Sequence, residues 1–258
     1  MQANYQYILD RSAQIARDDN AIVLDYGCGA GEIVAAIRAR GGQAFGVEIF
    51  YAGANSREVA QTRGLLDDAI REIGTDGRIP FDDNSFDFVV CNQVFEHIED
   101  LDPVILEISR VLKPGGRFLC LFPTWGIIRE VHCGVPIVHW LPKCTKLRYY
   151  WLLLFRTLGF GYHKEQKSRQ QWAADFANWL RKYTYYRSRR STRKILARAF
   201  DDYNSMEHDY VAFRLERKGL TSAARIVRLP IVGLLVREAS RRYGGLIFVV
   251  RNRKSPSS

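Results

Sequence analysis

Residues 24–31, Leu-Asp-Tyr-Gly-Cys-Gly-Ala-Gly, place three glycines at alternating positions directly behind the apolar run Ala21-Ile22-Val23-Leu24. The run predicts a short buried strand. Glu32 to Arg40, with Ile33, Val34, Ala36 and Ile37 apolar, predicts a helix that Gly41-Gly42 ends, and Ala44 to Glu48 predicts a second strand. Strand, helix and strand within about 30 residues imply a parallel sheet with a right-handed crossover. Glycines at such a junction let the backbone approach a ligand closely, and the helix N-terminus behind them favours anionic or electron-rich groups.

The alternation continues. Tyr5, Ile8, Leu9, Ala13, Ile15 and Ala16 fit a helix before the first strand. Ser56 to Asp67 predicts a helix, Ile70 to Gly74 a weak strand, Phe86 to Cys91 a strong one, Pro103 to Leu112 a helix stopped by Lys113-Pro114-Gly115-Gly116, and Arg117 to Phe122 the fifth strand. From Trp125 the texture becomes aromatic and basic until about Ser205. Glu207 to Gly219 then predicts a helix, and Ala224 to Leu229 and Gly245 to Val250 two further strands. The expected fold is α/β: a doubly wound, Rossmann-like sheet of seven strands with a mainly helical, basic insertion after the fifth. Residues 1–125 and 207–252 would form the sheet domain, 126–206 a lid that recognises substrate, and 253–258 a loose tail.

Charge follows the same division. Of the net +10, residues 1–125 carry −8, residues 126–206 carry +11 and residues 207–258 carry +7. The first half, which holds the glycine loop, is acidic. The start of the chain is polar and periodic, unlike a secretory leader, and the longest apolar runs, at 149–155 and 229–236, are far short of the ~20 residues a spanning helix needs. Five cysteines, with Cys28, Cys91 and Cys120 in or beside strands, suit free thiols in a reducing compartment. A cytoplasmic chain is expected, with the option of peripheral contact at the inner membrane surface.

The dinucleotide fingerprint needs a third glycine where this chain has Glu32, and no phosphate-loop motif is present. Asp25 in the loop, Glu48 closing the second strand and no nearby Lys or Arg suit a cofactor with ribose hydroxyls and a positive charge, and S-adenosylmethionine fits that description. Four stretches, VLDYGCGAG at 23–31, FGVEI at 45–49, IPFDDNSFDFVVCNQVFEHI at 79–98 and EISRVLKPGGRFLCLFP at 107–123, resemble the class I S-adenosylmethionine-dependent methyltransferases, above all the methyltransferase type 11 group. The resemblance implies that Asp25, Gly27, Cys28, Gly29 and Gly31 line the methionine part of the cofactor, that Glu48 takes the ribose hydroxyls with Ile49 beside the adenine, and that Asn92 and Gln93 face the methyl donor. Asp76, one position off the commonest spacing, is the candidate contact for the adenine amino group.

The acceptor is expected in the insertion. Ile127 to Cys144 carries Glu130, His132 and His139, and a hydroxyl acceptor needs a base that titrates near neutrality, which makes these three the candidate catalytic residues. Glu96-His97 admits a base or metal role beside a plainer capping or cofactor-floor role. The spacing of His132, Cys133, His139 and Cys144 matches no standard zinc pattern, so no metal is expected. Trp172, Phe176, Trp179, Leu180 and Tyr183 recur at helical spacing, followed by Arg181-Lys182 and the basic run at 187–194. Such a lid suits an anionic or phosphorylated small-molecule, glycan or lipid-linked acceptor, methylated at oxygen, and aromatics with Lys and Arg also suit a membrane surface. Two alternatives stand beside it: an RNA methyltransferase, with nucleic acid the less favoured partner, and a cofactor-binding scaffold without catalysis.

Overall fold

A computed structural model describes residues 3–18, 20–51 and 55–253; the expected tail beyond Arg253 lies outside the described residues. The sheet strands are β1 Ile22–Tyr26, β2 Gln43–Glu48, β3 Ile70–Glu72, β4 Phe86–Asn92, β5 Leu112–Phe122, β6 Phe200–Ser205 and β7 Leu246–Asn252, in spatial order β3-β2-β1-β4-β5-β7-β6. The first five are mutually parallel, and β7 runs antiparallel to both of its neighbours. The order reverses between β1 and β4, and that switch point opens a crevice at the carboxyl ends of both strands, where the glycine loop lies.

Each central strand is buried on both sides. Along β4, Phe88 and Val90 face a layer made with α1 Ala3–Asp18 and α2 Glu32–Arg38, while Val89 and Cys91 face the layer built on α4 Leu101–Val111. This double burial explains why these strands read as continuous apolar runs. Helix α3 Ser56–Thr62 is shorter than its sequence pattern.

The insertion contributes α5 Lys146–Thr157, α6 Arg169–Tyr183 and α7 Arg189–Leu196, and has a core of its own in which Cys133, Val138, Leu152, Trp172 and Leu180 are fully buried. Trp172 keeps its indole N–H satisfied on the Tyr162 carbonyl at 2.8 Å. The chain then returns through α8 Glu207–Glu216, α9 Thr221–Val227 and α10 Pro230–Tyr243.

Two sequence expectations are corrected. The sixth strand is not 224–229 but Phe200–Ser205, so the sheet domain begins again at residue 200 and the 126–206 insertion loses its last segment. β6 is an edge strand paired only to β7 and carries a bulge between Asp201 and Asn204. Its side chains therefore need little apolar character, and Asp201 and Asp202 meet Arg253 and Arg251 instead. Residues 221–227 are helical because Ala224 and Val227, three apart, are the buried pair while Ile226 faces outward, and Pro230 starts the next helix at its first turn. Among the described residues no helix is long and apolar enough to cross a membrane.

Candidate active site

The glycine loop is pinned to β2. Gly27 and Cys28 donate their N–H groups to the Val47 carbonyl at 2.8 and 3.1 Å, and Gly29 donates to Glu48 Oε2 at 2.7 Å. Gly27, Gly29 and Gly31 all have positive φ (75°, 55° and 77°). Their surroundings differ. A Cβ at Gly27 would stand 2.4 Å from Val94, and one at Gly31 would stand 2.4 Å from Ile70, whereas nothing lies within 4 Å of one at Gly29. Two glycines thus permit close packing, and the middle one opens to the crevice. Cys28 contributes its backbone only, since its side chain packs under Gly46.

Asp25 is 3% exposed, and burial with Glu48 beside it raises its pKa to about 8. Burial also raises Glu48, against the hydrogen bonds it accepts from Gly29 and Ile49. Two acids with depressed acidity and no cation between them fit a ligand that brings the cation, as a sulfonium and an ammonium would. Ile49 and Tyr51, 42% and 61% exposed, stand on the rim after β2 and offer an apolar face to a base. Asp76 is not joined to this group. It is exposed, accepts the Arg78 N–H at 3.1 Å, and faces a cleft with Arg71, Pro80 and Ser85 that includes no residue of the glycine loop.

At the end of β4 the chain turns through Gln93 at φ 60°. Asn92 is left buried with its Nδ2 unpartnered, while its Oδ1 lies 3.4 Å from Asn4 Nδ2. Helix α1 therefore closes the crevice. Its Tyr5 hydroxyl, raised by burial and by Asp25, Glu32, Glu48 and Glu96, stands among the acids of the site. Asn4 was not expected from the sequence at all, and Tyr5 only as a core-facing position; the helix periodicity carried no further signal.

Directly beyond Val94, a 3-10 turn at Phe95–His97 brings Glu96 and His97 against the lid. The lid is tied there by the Tyr185 N–H to the Glu96 carbonyl at 2.6 Å and by Arg187, which donates to the carbonyls of Phe95 and Ile98 at 3.2 and 2.6 Å. Glu130, fully buried, accepts from the His132 and Cys133 N–H groups at 2.8 and 2.6 Å, from His132 Nδ1 at 2.6 Å and from the Tyr186 hydroxyl. Burial opposes its charge, but these donors outweigh it and hold Glu130 at about 2. His132 in turn lies on the wall of a cleft of about 690 Å³ with Val131, Tyr162, Lys167, Phe176 and Trp179.

The structure thus joins Glu130 to His132, and both to Glu96, His97 and Tyr186. His139 takes a supporting place: its Nε2 is 3.2 Å from the Trp125 carbonyl, its ring packs at a tilt against Tyr186 at 4.9 Å, and burial lowers its pKa. Tyr186 carried no recognisable signal, because only the fold brings residue 186 to residue 130.

Residues 24–120 match the family model described as a methyltransferase domain. A demethylmenaquinone methyltransferase of Symbiobacterium thermophilum is 33% identical over 125 residues, 46% of this chain and 48% of that protein. A sterol 4-C-methyltransferase of Caenorhabditis elegans is 33% identical over 105 residues, 39% of this chain and 30% of that protein. A demethylmenaquinone methyltransferase of Staphylococcus aureus is 30% identical over 167 residues, 60% of this chain and 67% of that protein. The chain therefore spans less than half the length of the first two relatives. The solved structure of an S-adenosylmethionine-dependent methyltransferase from Mesorhizobium loti has the same fold, with a TM-score of 0.50 at 16% identity over 95% of this chain and 100% of that one. With the β3-β2-β1-β4-β5-β7-β6 sheet, the glycine loop and the two acids in place, the chain belongs to the class I S-adenosylmethionine-dependent methyltransferases of the type 11 group, whose cofactor is S-adenosylmethionine.

Proposed function

We propose that the chain transfers the methyl group of S-adenosylmethionine to a hydroxyl oxygen of a small anionic or lipid-linked acceptor under the helical lid, with His132 as the group that takes the proton. The observation that carries this reading is the Glu130–His132 pair. Glu130, ionised, accepts from Nδ1–H, which fixes the tautomer and leaves the Nε2 lone pair for a hydroxyl. Of the three expected bases, Glu130 is held too acidic to take a proton near neutrality, and His139 is buried, with its pKa lowered, and does not line the cleft.

The chemistry is an in-line displacement at carbon. As the hydroxyl proton passes to His132, the oxygen attacks the methyl carbon and the C–S bond breaks with its electron pair on sulfur. Asp25 and Glu48 hold the cationic donor, Glu48 by its ribose, and Asn92 offers an N–H at the carboxyl end of β4. The task of these residues is to hold donor and acceptor in attack geometry and to keep water out.

The acceptor's nature is inferred from the cleft and the lid. Tyr162, Phe176 and Trp179 give the cleft apolar walls, while Lys167, paired with Asp175 at 2.7 Å, and Glu165 bring both signs of charge to its edge. Along α5 and its C-cap, Leu147, Tyr150, Leu154 and Leu158 are all at least half exposed at helical spacing, with exposed Lys146 before them, which suits contact with an anionic membrane surface and an acceptor carried there. A second reading, methylation at a ring carbon beside a hydroxyl, is favoured by the relative named as a sterol 4-C-methyltransferase. Deprotonation of a phenol-like hydroxyl would activate such a carbon through the same His132.

The test is incubation with radiolabelled cofactor and separate lipid, glycan, small-molecule and RNA fractions, followed by identification of the methylated atom. Label on oxygen in a lipid, glycan or small-molecule product, lost in His132→Asn, is the expected result. Label at carbon selects the second reading. Label in RNA alone overturns both, and cofactor binding with no label in any fraction makes the chain a scaffold.

A further inference from the structure

Next to the pair proposed to handle the acceptor, three side chains able to offer electron pairs converge. One ligand atom each of Glu96, His97 and His132 lie within 4.8 Å of one another. His97 Nδ1 is 2.6 Å from the Tyr183 carbonyl, which can only accept, so Nδ1 carries the hydrogen and Nε2 is a lone pair. His132 Nδ1 is likewise committed to Glu130, and its Nε2 is a lone pair as well. Both carboxyl oxygens of Glu96 are buried with no hydrogen-bond partner, and its Oε1 stops 4.0 Å from His97 Nε2, too far for a hydrogen bond. A fully buried carboxyl with neither oxygen satisfied costs folding free energy unless something else occupies the space.

We propose that Glu96, His97 and His132 bind a divalent transition-metal ion of the Zn²⁺ or Mn²⁺ kind, with a coordination position open to the acceptor cleft. Two imidazoles and one carboxylate are a donor set for such ions, and the nitrogens select against Mg²⁺ and Ca²⁺. The surroundings are those of metal-ligating histidines: one ring is oriented by a backbone carbonyl, the other by a buried carboxylate, each through Nδ1. The rings stand 5.1 Å apart and are walled by Trp179, which limits water. Zn–N distances near 2.1 Å ask the three atoms to draw together by up to about 1.4 Å, within the reach of side-chain rotation. The site lies beside the glycine loop, since Gly27 packs on Val94 and Glu96 follows two residues later.

For the chemistry, this inference rests on the proposed methyl transfer; for binding, it does not. An acceptor hydroxyl would lose its proton to solvent as it takes the open position, because the ion would stabilise the alkoxide, and the oxygen would then attack the methyl carbon as sulfur leaves with the C–S pair. The oxidation state of the ion does not change, and His132 acts as a ligand in place of taking the proton itself.

The experiment is calorimetric titration of the chelator-treated full chain with Zn²⁺, Mn²⁺ and Mg²⁺ in turn. One Zn²⁺ or Mn²⁺ per chain is expected, with Mg²⁺ at least a hundredfold weaker. His132→Ala and Glu96→Gln should each weaken binding tenfold or more while the circular dichroism is unchanged, and Glu130→Gln, which stands behind the ligand and also accepts from the His132 and Cys133 N–H groups and the Tyr186 hydroxyl, should weaken it by about 10- to 100-fold. Cys144→Ser, the exposed thiol, should leave it unchanged. If His132→Ala and Glu96→Gln misfold, Co²⁺ bound to the unaltered chain gives a second readout: visible bands without thiolate charge transfer are expected. No transition-ion binding, binding that survives the ligand variants, or thiolate charge transfer overturns the proposal. Metal binding as described without any hydroxyl methylation would sink the proposed function and leave the site; hydroxyl methylation by metal-free protein that binds no ion would do the reverse.

Discussion

Asp25→Asn separates stability from function. In the cofactor-free protein Asp25 is fully buried, and burial with Glu48 raises it from the ordinary 3.8 to about 8. The folded state therefore keeps a proton that the unfolded chain releases, so stability falls as pH rises from about 4 and levels off above about 8. At about 1.4 kcal/mol per unit, the penalty reaches ~4 kcal/mol at pH 7 and less than ~2 kcal/mol at pH 5. Asparagine has the same shape and no charge. The variant should be more stable than the parent by up to ~4 kcal/mol at pH 7, or about 8 °C in Tm for a chain of this length, with the gap shrinking towards pH 4. The same substitution removes the charge that faces the donor cation and should weaken S-adenosylmethionine binding by ~2 kcal/mol, about thirtyfold. Thermal melts of both proteins from pH 4.5 to 9 without cofactor, and calorimetry with it, measure the two effects. A gap that is absent at pH 7.5, or that does not shrink as the pH falls to 5, would falsify the reasoning, because the electrostatic origin fixes both its sign and its pH window.

Gly31→Ala meets Ile70 at 2.4 Å with φ at 77°, so strain and clash should together destabilise the fold by ~2–4 kcal/mol in urea unfolding; Gly29→Ala has open space and should lose only ~1–2 kcal/mol while still impairing cofactor binding. Glu48→Gln keeps the size but weakens the acceptors offered to Gly29 N–H and to the ribose, and a ~10- to 100-fold weaker cofactor Kd by calorimetry is expected. Tyr186→Phe removes a donor to Glu130 without touching the glycine loop, so kcat should fall by about tenfold with the cofactor Kd unchanged; a shifted Kd instead would place Tyr186 elsewhere in the mechanism. Leu154→Glu on the exposed stripe of α5 should reduce sedimentation with anionic vesicles and leave binding of S-adenosylmethionine intact.

The sequence by itself determined the cofactor half. β1, the glycine loop, α2 and β2 are consecutive, so the acid at Glu48 and the glycines could be placed together by counting along one βαβ unit. Local sequence also marked β4 and β5, whose burial on both faces forces apolar runs. It misplaced β6, since an edge strand pairs on one side and needs no such run, and the segment 224–229, broken by Arg225 and Arg228, serves a helix packed on α8 instead. The sequence also singled out Glu130, His132 and the Glu96-His97 pair, but only the tertiary structure brought them together. Glu96 and His97 follow β4, Glu130 and His132 open the lid, Tyr186 closes it, and Asn4 and Tyr5 arrive on the first helix. No period in the sequence links these positions, because what holds them together is the packing of the lid on the β4 turn and the burial of charges that need one another's hydrogen bonds.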